Sequence, residues 1–172
     1  MKYLEEFLTY QEVIKNASKH TLRAYDIDLR KFAKFADERQ LDPLCIGRVD
    51  IRYFLDLLHQ LRYKRRTILR CVAALRSFYK YLHKEGKISS NPMEEIENLK
   101  LDKPIPKAVT IDEVSHFLEL PDTSAHLGLR DRALLELLYS SGLRISELVG
   151  LNRGDMDLSS QMVRIRGKGK KE

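Results

Sequence analysis

Residues 140–151, SSGLRISELVGL, place one arginine, Arg144, directly after a glycine turn and at the head of a short apolar run. Arginine keeps its charge at any working pH and offers a flat fork of donors that fits a carboxylate or a phosphate two bonds at a time. Two chemistries are therefore open to it: holding a phosphodiester, or closing a weak local ion pair with Glu147 at i, i+3 spacing. Two further basic groups open expected helices. Lys19, Thr21 and Arg23 follow Ser18; Lys64, Arg65, Arg66, Thr67 and Arg70 follow Tyr63, with Arg76 further along. A helix N-terminus already carries free N–H groups and partial positive charge, so cations gathered there are unfavourable unless an anion offsets them. That misfit points to phosphate, and the two ends could straddle a duplex with side chains in a groove. The plainer alternative is a solvated basic face. His20 reads as a surface residue, and Arg30, Lys31, Lys34, Lys80, Lys84 and Lys87 as solubility charges. Lys168, Lys170 and Lys171, set among Gly167 and Gly169, read as a charged turn.

Helices must position these groups. Leu4, Phe7, Leu8 and Val13 recur at helical spacing over residues 2–14. Ser18 can cap a second helix, reaching to about residue 39, with Leu22, Tyr25, Ile27, Leu29, Phe32, Phe35 and Ala36 on one broad face. After the turn at Asp42, Pro43 and Gly47, Asp50 is expected to cap a third helix that faces Ile51, Phe54, Leu55, Leu58 and Leu61 inward. A fourth, over 64–85, carries Ile68, Cys71, Val72, Leu75, Phe78, Tyr79 and Leu82 and stops at Gly86. Short connections make this a four-helix bundle. Residues 87–109, with Pro92, Pro104 and Pro106, read as a linker holding one turn of helix at 93–96. Thr110 and Glu113 form a capping box opening a helix to about Leu120. A helix over 127–140 is expected to bury Leu129, Ala133, Leu134, Leu137 and Leu138. In the Arg144 helix, Ile145, Leu148, Val149 and Leu151 should face a core. Two short strands follow at 155–158 and 162–166, with Val163 and Ile165 on one face, and a turn at 167–171. The division is 1–86, linker 87–109, and 110–172.

The length of 172 residues holds one ordinary domain or two small ones, and 43% hydrophobic content suffices for real cores. Lys and Arg number 31 against 25 Asp and Glu, a net +6 that favours a polyanionic partner. No apolar run approaches the roughly 18 residues that cross a bilayer, and the acidic N-terminus is unlike a signal peptide, so a cytoplasmic location without membrane contact is expected. Cys45 and Cys71 belong to no CxxC or Cys/His cluster, so neither metal nor disulfide is indicated and Cys71 is expected in a core.

The stretches SKHTLRAYDIDLRKFAKF (18–35), TILRCVAALRSFYKYL (67–82), the IPK at 105–107 and above all LRDRALLELLYSSGLRISELVGLNRGDMDL (129–158) followed by VRIRGKGKKE (163–172) resemble the tyrosine recombinase (phage integrase) family, within it the XerC/XerD site-specific recombinases that resolve chromosome dimers. The resemblance covers essentially the whole chain. It implies a mainly α fold, with an N-terminal four-helix core-binding (SAM-like) domain plus the N-terminal part of the α+β catalytic domain, the two clamping double-stranded DNA at paired half-sites. By resemblance, Arg144 is the first catalytic arginine and holds the non-bridging oxygens of the scissile phosphate, where a fixed donor fork stabilises gathering charge. Glu147 supports that site. Lys168 is the hairpin lysine, general acid to the departing 5′ oxygen, on a glycine-flanked backbone able to close over DNA.

The family's pattern continues beyond Glu172 into another strand, an HxxR helix, a further His or Trp and the nucleophilic tyrosine. None of the eight tyrosines here has that sequence context. Cleavage in this chemistry forms a covalent 3′ phosphotyrosine with no metal and no cofactor. These residues alone are therefore expected to bind DNA without cleaving it. Intact relatives imply a second Xer-type protomer and four protomers on two sites. The alternative is a binding-only relative that competes with an intact recombinase. Two strands without partners leave open edges, so the second domain is expected to be poorly ordered or sticky.

Overall fold

The computed structural model describes residues 2–96 and 108–165. The chain divides into two compact units, Met1–Pro104 and Ile105–Glu172. Its described residues form seven α-helices and one two-stranded ribbon.

The first unit holds α1 (Lys2–Val13), α2 (Lys19–Glu38), α3 (Arg48–Gln60) and α4 (Arg65–Lys84). Each has an apolar stripe buried in the bundle: α4 packs on the other three, α1 lies on α2, and α2 meets α3 through Phe32, Phe35 and Phe54. Phe7, Phe32, Phe54, Phe78 and Tyr79 are all but fully buried and meet edge-on or tilted: Phe7 on Phe78, Phe32 on Phe54 and on Tyr79. The Tyr79 hydroxyl, which burial pushes well above its ordinary pKa, donates to the Pro43 carbonyl at 3.2 Å. Cys71 is buried, its thiol pushed up to about 12 by desolvation and then by the nearby Asp28 charge. It is thus a small core hydrophobe rather than a reactive thiol.

Several positions depart from the periodic reading. In α1 the phase is Leu4, Phe7, Gln11, so Gln11 is buried and donates to Ser77 Oγ, while Val13 lies a half-turn off and is exposed. In α2, Ile27 is exposed and Asp28 occupies the core phase instead. The α3 N-cap is Gly47, not Asp50; Asp50 sits three residues in and accepts the Gly47 N–H at 3.0 Å. Leu61 is the C-cap that follows the last turn of α3 and is exposed. Ser18 caps α2 by accepting the Thr21 N–H, and Gly86, at φ +63°, ends α4.

The stretch after α4 is more than a tether. Met93 and Ile96 are buried in the first unit's core. Asn91 Oδ1 accepts the Met93 N–H, Arg76 Nη2 donates to the Ile96 carbonyl at 3.0 Å, and Arg48 pairs with Glu95. Residues 97–107, including the IPK, lie outside the described residues.

The second unit holds α5 (Ile111–Glu119), α6 (His126–Ser141), α7 (Ile145–Val149), a 3-10 turn (Arg153–Asp155), β1 (Met156–Asp157) and β2 (Met162–Val163). The Thr110/Glu113 box forms in both directions, Glu113 N–H to Thr110 Oγ1 and Thr110 N–H to Glu113 Oε2. Gly128 is required by space: a Cβ there would stand 1.8 Å from the Asp122 carbonyl oxygen. Gly142, at φ +64°, gives α6 its left-handed end. β1 and β2 pair antiparallel, Met156 opposite Val163, and Val163 and Ile165 share the half-buried phase. The strands are shorter than expected: the 3-10 turn takes Asp155, and Asp157 turns its carboxylate back onto Ser159 and Ser160.

Burial on α6 and α7 also differs. Leu129, Ala133 and Leu134 are exposed, Leu137 and Leu138 half-buried; Ile145 and Val149 are exposed. Among the described residues α6 packs on α5 and α7, two short helices that cannot cover a sixteen-residue one. Among the described residues of this unit, Leu143 and Leu148 are the buried hydrophobics.

Candidate nucleic-acid interface and phosphate site

The helix starts fall into two electrostatic kinds. At α3, α5 and α7 a carboxylate three residues in accepts the capping residue's N–H: Asp50, Glu113 and Glu147. Each places negative charge where the peptide dipoles leave positive charge. The starts of α2 and α4 have no acid in the first turn. They carry Lys19 and Arg23, and Lys64, Arg65 and Arg66. The start of α6 also lacks an acid, but without Lys or Arg in its first turn. Lys19, Arg23, Lys64 and Arg66 are exposed, and their side chains have no hydrogen-bonding or ion-pair partner among the described residues. The Thr21 hydroxyl lies 2.9 Å from Ser18 Oγ and is half-buried, as is Thr67. Arg65 is exposed, with interactions within the chain.

The beginning of α4 rests against the middle of α2. The Tyr63 ring lies 5.2 Å from Lys31 Nζ, and Arg70 reaches Asp28. From Thr21 to Asp28 and Lys31 is about 10–15 Å of helix at 1.5 Å per residue, comparable with the roughly 12 Å width of a B-DNA major groove. Both basic starts belong to the same unit, with the α4 start set against the middle of α2.

Arg70 and Arg76, both expected contact residues, are tied down. Arg70 gives Nε to Asp28 Oδ2 at 2.7 Å and Nη2 to Asp28 Oδ1 at 3.0 Å, with its side chain still half exposed. Arg76 anchors the 91–96 turn. Lys31 was expected as a solubility charge, yet its ammonium sits 3.1 Å from Asp28 Oδ1. Lys84 likewise donates to the Tyr10 hydroxyl. Asp28 is the residue that periodicity missed. The available signal was an acid in the phase of Tyr25, Leu29 and Phe32, which demands a cation from a neighbouring helix.

In the second unit Arg144 is the N-cap of α7. Its Nη1 donates to Glu147 Oε1 at 2.7 Å, and its own N–H donates to Glu147 Oε2 at 2.8 Å. The Glu147 carboxyl is held below the ordinary glutamate range by that backbone N–H first and by the guanidinium second. The local pair and an outward-facing fork therefore coexist. The Arg144 side chain is 76% exposed, and Nε and Nη2 have no partner among the described residues. Lys168 and residues 167–171 lie outside the described residues. Among the described residues no His, Cys, Asp or Glu cluster could hold a metal, and no helix is long and apolar enough to cross a membrane.

The phage integrase N-terminal SAM-like domain matches residues 4–86, and the phage integrase family proper matches residues 107–172. Tyrosine recombinase XerC of Syntrophus aciditrophicus is 44% identical over 177 residues, covering 98% of this chain and 57% of that protein. XerC of Herpetosiphon aurantiacus is 43% identical, over 98% of this chain and 56% of the relative; XerD of Listeria monocytogenes is 40% identical, over 98% and 58%. The chain thus spans somewhat more than half the length of these relatives. An integrase from mycobacterium phage Brujita superposes with a TM-score of 0.53 over 97% of this chain and 54% of its own, at 23% identity, a likeness of fold. With matches on both units and relatives at 40–44% identity along nearly all of it, the chain belongs to the phage integrase family.

Proposed function

We propose that this chain is the DNA-gripping part, with the first catalytic arginine, of an Xer-type site-specific tyrosine recombinase acting in the cytoplasm on chromosome dimers. The observation that carries the reading is the pair of acid-free, cation-bearing starts of α2 and α4, an arrangement that an external polyanion would stabilise. Lys19, Thr21, Arg23, Lys64, Arg65, Arg66 and Thr67 hold phosphates; Arg70, one turn after Arg66, joins that face, and Arg76, further along α4, adds to the basic charge of the helix. Arg144 holds the scissile phosphate through Nε and Nη2 while Glu147 keeps its Nη1 and backbone in place. Lys168 is the general acid. Strand exchange in the family uses a nucleophilic tyrosine and an HxxR helix besides these residues, and four protomers, a second Xer-type protomer among them, on paired half-sites.

The test is a titration of labelled duplex carrying inverted half-sites against random duplex. Salt-sensitive binding with preference for the half-sites and no covalent adduct supports the reading. Salt-insensitive binding, or none, overturns it. Arg66→Ala should weaken binding and lower the salt slope by about 0.9. In a polypeptide that includes the tyrosine, Arg144→Ala and Lys168→Ala should abolish cleavage while leaving binding in place.

A further inference from the structure

Asp28 is a fully buried carboxylate at the contact of α2 with α4, and the phosphate-gripping role leaves it without a task. It faces two cations, Arg70 and Lys31, and its own backbone carbonyl lies 3.8 Å from the Cys71 thiol. Burying a charge is costly even when it is paired, and replacing a buried ion pair by apolar residues of similar volume is often neutral or stabilising. Asp28 therefore does something that leucine could not.

The geometry of the pair shows what that is. Arg70 meets the carboxylate with its Nε/Nη2 edge, both bonds short, so the plane of the guanidinium is set. The opposite edge, Nη1 with the outer hydrogen of Nη2, points away from Asp28 and has no partner among the described residues. Arg66 stands one turn before Arg70 on the same helix face, and Lys31 is held beside it over Tyr63. For a phosphate contact this pairing is counterproductive, because the carboxylate cancels the charge that draws a phosphate in. For a base contact it is an advantage. Two parallel donors in a fixed plane match the O6 and N7 acceptors of guanine, and a side chain already immobilised loses little entropy on binding.

We propose that Asp28 is a positioning residue that clamps Arg70, and that the outward edge of Arg70 reads a guanine in the major groove. This rests on the DNA-binding reading above and adds to it a source of sequence preference. Arg66, Lys64 and the α2 start then supply charge, while Arg70 supplies discrimination.

The experiment selects duplexes from a randomised pool with the whole chain, with Asp28→Asn and with Arg70→Lys, and follows binding of the winning duplex and of a scrambled one against salt, with thermal melting alongside. The parent chain should enrich a motif containing a fixed guanine. Arg70→Lys keeps a cation for Asp28 but lacks the fork; it should fold, keep the parent salt slope, and lose preference for that guanine on the order of tenfold to a hundredfold. Asp28→Asn should blur the same position while affinity for scrambled duplex holds or rises, since a negative charge has gone. An unchanged motif in Arg70→Lys overturns the proposal, as does a salt slope that falls by about one with no change in motif, the signature of a phosphate contact. If the parent chain binds every duplex equally but salt-sensitively, base reading fails and phosphate gripping stands. If it binds none, both fail.

Discussion

The two units use their apolar side chains in opposite ways. In the first, every helix contributes to one continuous core, from Leu4 in α1 to Leu82 in α4 and on to Met93 and Ile96. In the second, Leu143 and Leu148 are buried while Leu127, Leu129, Leu134, Ile145 and Val149 remain exposed. The helix starts differ as well, although Asp50 also closes α3 in the first unit. The second unit's helix starts at α5 and α7 are closed by their own carboxylates, whereas the first unit's starts at α2 and α4 are left open. A unit with a complete core can tolerate uncompensated cations on its rim, and that tolerance is what makes the rim available to a polyanion.

Substitutions can break this contrast at several strengths. The largest effect is expected in the first core: Phe32→Ala should cost roughly 3–5 kcal/mol in urea unfolding followed by far-UV circular dichroism, and should take DNA binding with it. Leu134→Ala on the exposed face of α6 should stay within about 0.5 kcal/mol. Equal losses at the two sites would mean that the units are not differently packed. Next is Gly128→Ala, whose methyl would run into the Asp122 backbone. The expected cost is about 1–3 kcal/mol, seen as faster proteolysis between α5 and α6, with DNA affinity unchanged. Ser18→Ala removes the acceptor for the Thr21 N–H and should destabilise α2 by about 1 kcal/mol, with a modest loss of affinity because Lys19 and Arg23 lose their fixed placement.

The smallest effect distinguishes the helix starts by pH. Glu113 and Glu147 are both held below the ordinary glutamate value of 4.5 by the backbone N–H groups they accept. A carboxylate depressed on folding contributes stability that is fully present above its unfolded pKa and is lost as pH falls through its folded one. Amide protection at the starts of α5 and α7 should therefore weaken as pH drops below about 4.5. The starts of α2 and α4, which have no such carboxylate, should show no step in that range; a step there would place an unrecognised acid at the basic rim.

Most of the architecture was legible in the sequence, because helical periodicity and caps are local properties. The four helices of the first unit, the Thr110 box and the stops at Gly86 and Gly142 all follow from spacing and residue type. Burial in the second unit was not legible, since periodicity says which side of α6 is apolar but not whether anything covers it. Ile27 and Val13 mislead for a related reason: an apolar residue off the dominant phase reads as core in composition and as surface in geometry. The site was readable as basic clusters and as the arginine after the glycine turn. What could not be read was the partnership of Arg70 with Asp28, because residues forty-two positions apart meet only when α2 and α4 pack.

The most direct measurement of the central claim is the salt dependence of duplex binding by the chain and by a variant with Lys19, Arg23, Lys64 and Arg66 all changed to alanine. If those four cations neutralise phosphates, the slope of log affinity against log salt should fall by about 3.6, four contacts at about 0.9 each, while thermal stability holds or rises as like charges leave the helix starts. An unchanged slope would contradict the claim and leave a basic helical rim that touches no phosphate.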